Sequence, residues 1–156
     1  MTDKEIIVSF VTQNDPLSAL IRHVSRGPVS HAEFITPDGY RLGSRFKGGI
    51  QKRAMDYEAF SYEARVTIPC AIANSVYALA DSYIGSKYDW PGLLNFVLPG
   101  HDIQHTGQDY CSEFVDRVLR SLSVTRPSIF PPEATSPVDL LRMLEQLGTL
   151  AIIKSA

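Results

Sequence analysis

The sequence predicts an α+β fold, and three observations carry that expectation. Extended and helical segments come in runs, without the repeated strand–helix–strand rhythm of a parallel sheet. Residues 59–68 alternate: Phe60, Tyr62, Ala64, Val66 and Ile68 fall on one side, and Ser61, Glu63, Arg65 and Thr67 on the other. That period of two marks a strand with one covered face. Hydrophobic residues form 44% and charged residues 21% of a 156-residue chain, enough for one core and far from the composition of disorder. One domain over 1–156 is therefore expected.

Along the chain, Glu5 to Thr12 is a β-branched and aromatic run that reads as a strand. Asn14-Asp15-Pro16 offers an N-cap with proline at the first helical position, so a short helix follows and ends at Gly27. Pro28 reopens an extended segment through Ile35, and Pro37-Asp38-Gly39 turns it into Tyr40-Arg41-Leu42, a β-hairpin. A loop around Gly48-Gly49 leads to the alternating strand. Pro69 to Tyr83 reads as a helix closed by Gly85, and Pro91 to Pro99 as an apolar packing segment. Phe114, Val115, Val118, Leu119 and Leu122 recur at helical spacing, with Asp109 as N-cap, which puts Cys111 in the first turn. After a proline-rich connection, Ser136 caps a helix with Pro137 at its first position, a stripe of Leu140, Leu141, Leu144 and Leu147, and Gly148 as its stop. Leu150 to Ile153 is a last strand.

Composition also removes function classes. Fifteen Lys+Arg against seventeen Asp+Glu give a net charge of −2, so no overall basic field attracts nucleic acid. Cys70 and Cys111 stand alone in their segments, which fits neither a disulfide framework nor paired zinc motifs and favours a reducing compartment. The N-terminus has no secretory signal pattern, and no apolar run approaches the roughly 18 residues of a membrane span. A cytoplasmic location is expected, unless export follows a non-Sec route or release follows lysis. There is no phosphate loop, dinucleotide fingerprint or serine elbow.

The feature that carries chemistry is Tyr110-Cys111-Ser112-Glu113-Phe114-Val115. A thiol at a helix N-terminus meets unpaired N–H groups and the positive end of the dipole, which favour thiolate and serve as oxyanion donors. Asp109 and Glu113 oppose that effect, so activation needs a positive partner; otherwise Cys111 is a small buried hydrophobe. His31 is the natural partner. In Ser30-His31-Ala32-Glu33 it shares a strand face with Glu33 and Ile35, where the carboxylate either orients the imidazole or stays solvated.

SHAEFI, the PDG hairpin, IGSKYDWPGLL and QDYCSEFVDRVL, in that order, resemble the circularly permuted branch of the NlpC-type, papain-like cysteine peptidases and amidases. In that branch the histidine strand precedes the cysteine helix, as here, and the likeness spans about residues 28–122. It implies a papain-like fold with an antiparallel sheet against helices, Cys111 as nucleophile and His31 as acid–base. The chain departs from the family at the third member. The family's polar orienting residue lies on the strand after the histidine, near Gly43-Ser44; glycine cannot serve and Ser44 orients weakly, so Glu33 is the favoured alternative. Gln108 and Tyr110 are candidates to line an oxyanion hole or substrate cleft, or are loop and packing residues; Ser44 is a further substrate-binding candidate. In Lys87-Tyr88-Asp89-Trp90, Trp90 reads as core and Tyr88 as a cleft border.

Other readings stay open. His101-Asp102-Ile103-Gln104-His105 has the i, i+4 spacing of a zinc helix, confined by Gly100 and Gly107 to about two turns. Two solvated loop histidines are the simpler reading. Cys70 begins a helix with no histidine nearby. Arg41, Arg45, Lys47, Lys52 and Arg53 form a basic stretch, read as a solvated loop or a site for an acidic substrate. The expected function is a cofactor-free cysteine hydrolase cleaving an amide, with no bound metal. Its substrate would be a small peptide or acyl group, in one version peptidoglycan-derived, as bacterial or phage relatives imply. The alternatives are a lipid or thioester acyl hydrolase, a non-catalytic peptide- or lipid-binding module, and a zinc hydrolase on His101 and His105.

Overall fold

In the computed structural model, residues 2–55, 62–87, 111–125 and 135–152 are described. Among them the order is β1 (Asp3–Val11), α1 (Pro16–Ser25), β2 (His31–Ile35), β3 (Tyr40–Arg45), β4 (Gly49–Ala54), β5 (Tyr62–Pro69), α2 (Cys70–Ser82), α3 (Cys111–Ser121), α4 (Pro137–Leu147) and β6 (Thr149–Ile152). The strands form one antiparallel sheet in the order β4-β3-β2-β1-β5-β6. The class is α+β.

Register explains the two faces of the sheet. Val8 lies opposite Phe34 on β2 and Ala64 on β5, and Phe34 lies opposite Leu42 on β3. Ile6, Val8, Phe10, Ala32, Phe34, Leu42, Ala64 and Val66 thus make one apolar face, all of it buried. The helices pack there: Val76 and Tyr77 of α2, Phe114, Val115 and Val118 of α3, and Leu140 and Leu144 of α4 join the same core. Phe114 meets Phe34 edge-on, with ring centroids 5.9 Å apart, which fixes α3 across β2. The alternate residues, His31, Glu33, Arg41, Gly43, Arg45 and Arg53, point to the other face.

Local signals set the element ends. Asp15 caps α1 by accepting the Ser18 N–H, and Ser136 and Asp139 close a reciprocal capping box on α4. The hairpin turn is closed by Thr36 and Gly39, whose φ of +83° suits glycine. The strand β4 corrects the expected loop: it begins at Gly49 and pairs with all of β3, Arg41 standing opposite Arg53 and Gly43 opposite Gln51. Pro69 ends β5 and precedes the first residue of α2, Cys70, one position later than the sequence predicts. No helix among the described residues is long and apolar enough to cross a membrane.

Candidate active site

The first residue of α3 is Cys111 and the first of β2 is His31, so two element ends separated by about half of the chain meet at one point. The thiol is 3% and the imidazole 7% exposed, which removes both from bulk water. The Cys111 Sγ lies 3.9 Å from the Ser30 carbonyl oxygen, to which the S–H donates. His31 and the backbone N–H groups of Ala32 and Ser112 are the groups around the sulfur that favour its charged form. Ser112 in turn donates to the Thr135 carbonyl at 2.7 Å, and Thr135 to Asp116 at 2.6 Å, which Arg120 also grips. These bonds pin the start of α3 to the segment leading into α4.

Burial opposes charge at both groups, and their mutual attraction outweighs it. Burial pushes the Cys111 thiol up, but His31, followed by the Ala32 and Ser112 N–H groups, brings it below the ordinary thiol range. Burial pushes His31 down, but Glu33 and then Cys111 raise it above the ordinary imidazole value. Each group thus shifts the other toward its charged form, thiolate or imidazolium, and the two titrate as one unit. Glu113, an expected opponent of thiolate, is answered by Arg117 at 2.6 Å.

Glu33 sits behind the imidazole. Its Oε1 lies 2.9 Å from His31 Nε2, off the line of a good hydrogen bond, so the contact is chiefly one of charge. The carboxylate is fully buried and is met by Arg53 at 2.6 Å, Arg45 at 3.0 Å and Arg41 at 3.6 Å. Burial alone would raise its pKa; His31, Arg45 and Arg53 instead hold it far below the usual carboxylate range. Gly43 makes room for this side chain, because a Cβ there would stand 2.6 Å from Glu33 Cγ.

Of the residues singled out in the sequence, Cys111, His31 and Glu33 come together. Ser44 does not join them: two residues on from Leu42, it lies on the apolar-facing side of β3, away from Glu33. The solvated-loop reading of the basic stretch holds for Lys47, which is exposed in a turn, and is corrected for the arginines. Arg41, Arg45 and Arg53 converge on Glu33, whereas Lys52 pairs with Asp38 and Asp81 on the other side of the hairpin. Gln108, Tyr110, Asp109, Tyr88, Trp90, His101 and His105 lie outside the described residues. Cys70 sits at the start of α2, where Asn74 Nδ2 is 3.6 Å from its sulfur. Sequence reasoning missed the role of Gly43 and the arginines. Their spacing, i, i+2 and i+4 along 41–45 with Arg53 across the hairpin, was the available signal.

No protein-family model matches the chain, and no curated protein matches it. Among solved structures, it is similar to the crystal structure of metalloprotein yiiX from Escherichia coli O157:H7, a DUF1105 protein. The TM-score is 0.52 at 16% identity, over 95% of this chain and 86% of that one. At that identity the likeness shows a shared fold alone.

Proposed function

We propose that the protein is a papain-like cysteine hydrolase that cleaves an amide through an acyl-enzyme on Cys111, with His31 as general acid–base and Glu33 as its orienting partner. The observation that carries this reading is the buried Cys111–His31–Glu33 constellation, in which His31 lowers the thiol while Glu33 and then Cys111 raise the imidazole. The permuted order, histidine strand before cysteine helix, supports the same reading.

With Nε2 turned to Glu33, Nδ1 is the ring nitrogen left to take the thiol proton. The thiolate attacks the carbonyl carbon, and the oxyanion is received by N–H groups at the start of α3, which have no intrahelical partner. Imidazolium then protonates the leaving nitrogen, and the C–N bond breaks to leave a thioester on Cys111. His31 next takes a proton from water, whose oxygen attacks the thioester; the acid departs and the thiol is restored. No cofactor enters these steps. Peptides, cell-wall peptides among them, and lipid acyl and thioester donors all suit this chemistry.

The neighbour's name carries the word metalloprotein, but the residues here do not fit a metal at this site. Arg41, Arg45 and Arg53 bring positive charge to the carboxylate that a cation would need. Among the described residues no group of three His, Cys, Asp or Glu could hold an ion. The zinc reading rests on His101 and His105, outside those residues.

The test is covalent trapping. Peptide, ester and thioester acyl donors are presented to wild type and His31→Ala, and adducts are located by peptide mass spectrometry. An acyl group on Cys111, absent from Cys70 and lost in His31→Ala, is expected; no adduct with any donor class, or equal labelling of both cysteines, would overturn the reading.

A further inference from the structure

The catalytic reading leaves one arrangement unused. Three guanidiniums converge on one buried carboxylate, and burying several charges together is costly unless they act as a unit. Yet β3 and β4 place Arg41, Arg45 and Arg53 on the face of Glu33, and Arg41 is itself fully buried.

We propose, on the basis of the hydrolase reading, that Arg41, Arg45 and Arg53 are positioning residues of the catalytic triad. Converging on Glu33, they hold its carboxylate against His31 while drawing off part of its charge, so that the imidazole keeps the ability to hand its proton on. The need is chemical. His31 must accept a proton from the thiol and then release it to the leaving group within one cycle. An unshared carboxylate 2.9 Å away in a dry site would bind imidazolium too firmly for the second step. Guanidiniums at 2.6, 3.0 and 3.6 Å compete for the same two oxygens and weaken that hold.

The charged neighbours of His31 among the described residues are few. Glu33 comes from its own strand and Cys111 from α3. Arg41 and Arg45 come from β3 and Arg53 from β4, all through Glu33. On the remaining side β1 brings uncharged groups, Val11 opposite His31 and Ser9 opposite Glu33. Glu63 of β5 lies beyond Ser9 and is answered by Arg65.

The sign separates this role from a merely structural one. Cys111 thiolate is followed by ultraviolet absorbance and by alkylation across about pH 5 to 9, where an activated pair gives a rise and an upper limb set by His31. Arg53→Met and Arg45→Met should each move the upper limb up by roughly half a pH unit or more, since Glu33 then acts on His31 with more of its charge. Glu33→Gln should move it down. Arg53→Lys, which keeps the charge, should stay nearer wild type than Arg53→Met. If Arg53→Met does not fold, Arg45→Met decides. An upper limb that stays put or falls in a folded methionine variant overturns the role of the arginines and leaves the hydrolase reading standing. A wild-type Cys111 that titrates as an ordinary thiol overturns both.

Discussion

At the scale of single residues, the site depends on side chains that each make a second one workable. Gly43 is the clearest case: a Cβ there would lie 2.6 Å from Glu33 Cγ and 3.2 Å from its Oε1. Gly43→Ala should cost about 1–3 kcal/mol by overpacking, and should return Cys111 toward ordinary thiol behaviour with every charge still present. Urea denaturation and the alkylation profile check the two halves of that statement. Glu33→Gln leaves three arginines facing a neutral amide and should destabilise the fold by about 3–5 kcal/mol. The meeting of Cys111 and His31 was legible in the sequence, because a cysteine at a predicted helix start and a histidine on a predicted strand are local signals and the resemblance to the permuted papain-like family paired them. The arginines were not, because their meaning depends on a carboxylate that pairing across two strands brings to them.

Elements carry the site to that geometry. The helix α3 must begin where β2 begins, and it is held there by Phe114 against Phe34 and by the Ser112, Thr135 and Asp116 bonds. Removing the cap of α4 with Ser136→Ala deletes the Oγ that accepts the Asp139 N–H, leaves the backbone N–H of residue 136 on the Asp139 carboxylate, and should cost about 1 kcal/mol, read as a lower urea midpoint. The same variant should leave the Cys111 profile in place, since the cap touches α4 and not the triad. Cap signals at Asp15 and Ser136, the PDG turn and the alternation through 62–68 made most elements readable. The strand β4 was hidden for a physical reason. Gly48 and Gly49 resemble a loop, and Ile50-Gln51-Lys52-Arg53 holds one apolar residue, because its Arg53 side turns to a buried carboxylate instead of a hydrophobic layer.

For the whole molecule, the buried triad ties stability to pH. The Glu33 pKa is depressed on folding, so its contribution is fully present above the ordinary value of 4.5 and is lost as pH falls toward the folded value. The His31 pKa is raised, so its contribution is fully present below 6.5 and is lost as pH rises through the folded value. Urea midpoints of wild type and Glu33→Gln should therefore differ at neutral pH, with the gap beginning to close only below about pH 4.5 and narrowing further as the acid strengthens; a gap that stays constant throughout would mean that Glu33 does not carry its charge into the fold. The α+β class was open to sequence reasoning because one sheet face is uniformly apolar. The second, charged face was not, since its residues look like surface until the strands are paired.

The central claim is that Cys111 and His31 form a thiolate–imidazolium pair. The most direct measurement is the pH dependence of Cys111 alkylation in wild type and His31→Ala, with Cys70 in the same chain as the internal reference. The account predicts Cys111 reactivity that persists well below the free-thiol pKa of about 8.5 and is lost when His31 is removed, while Cys70 is unchanged. A Cys111 that titrates like Cys70, or that keeps its reactivity without His31, would contradict it.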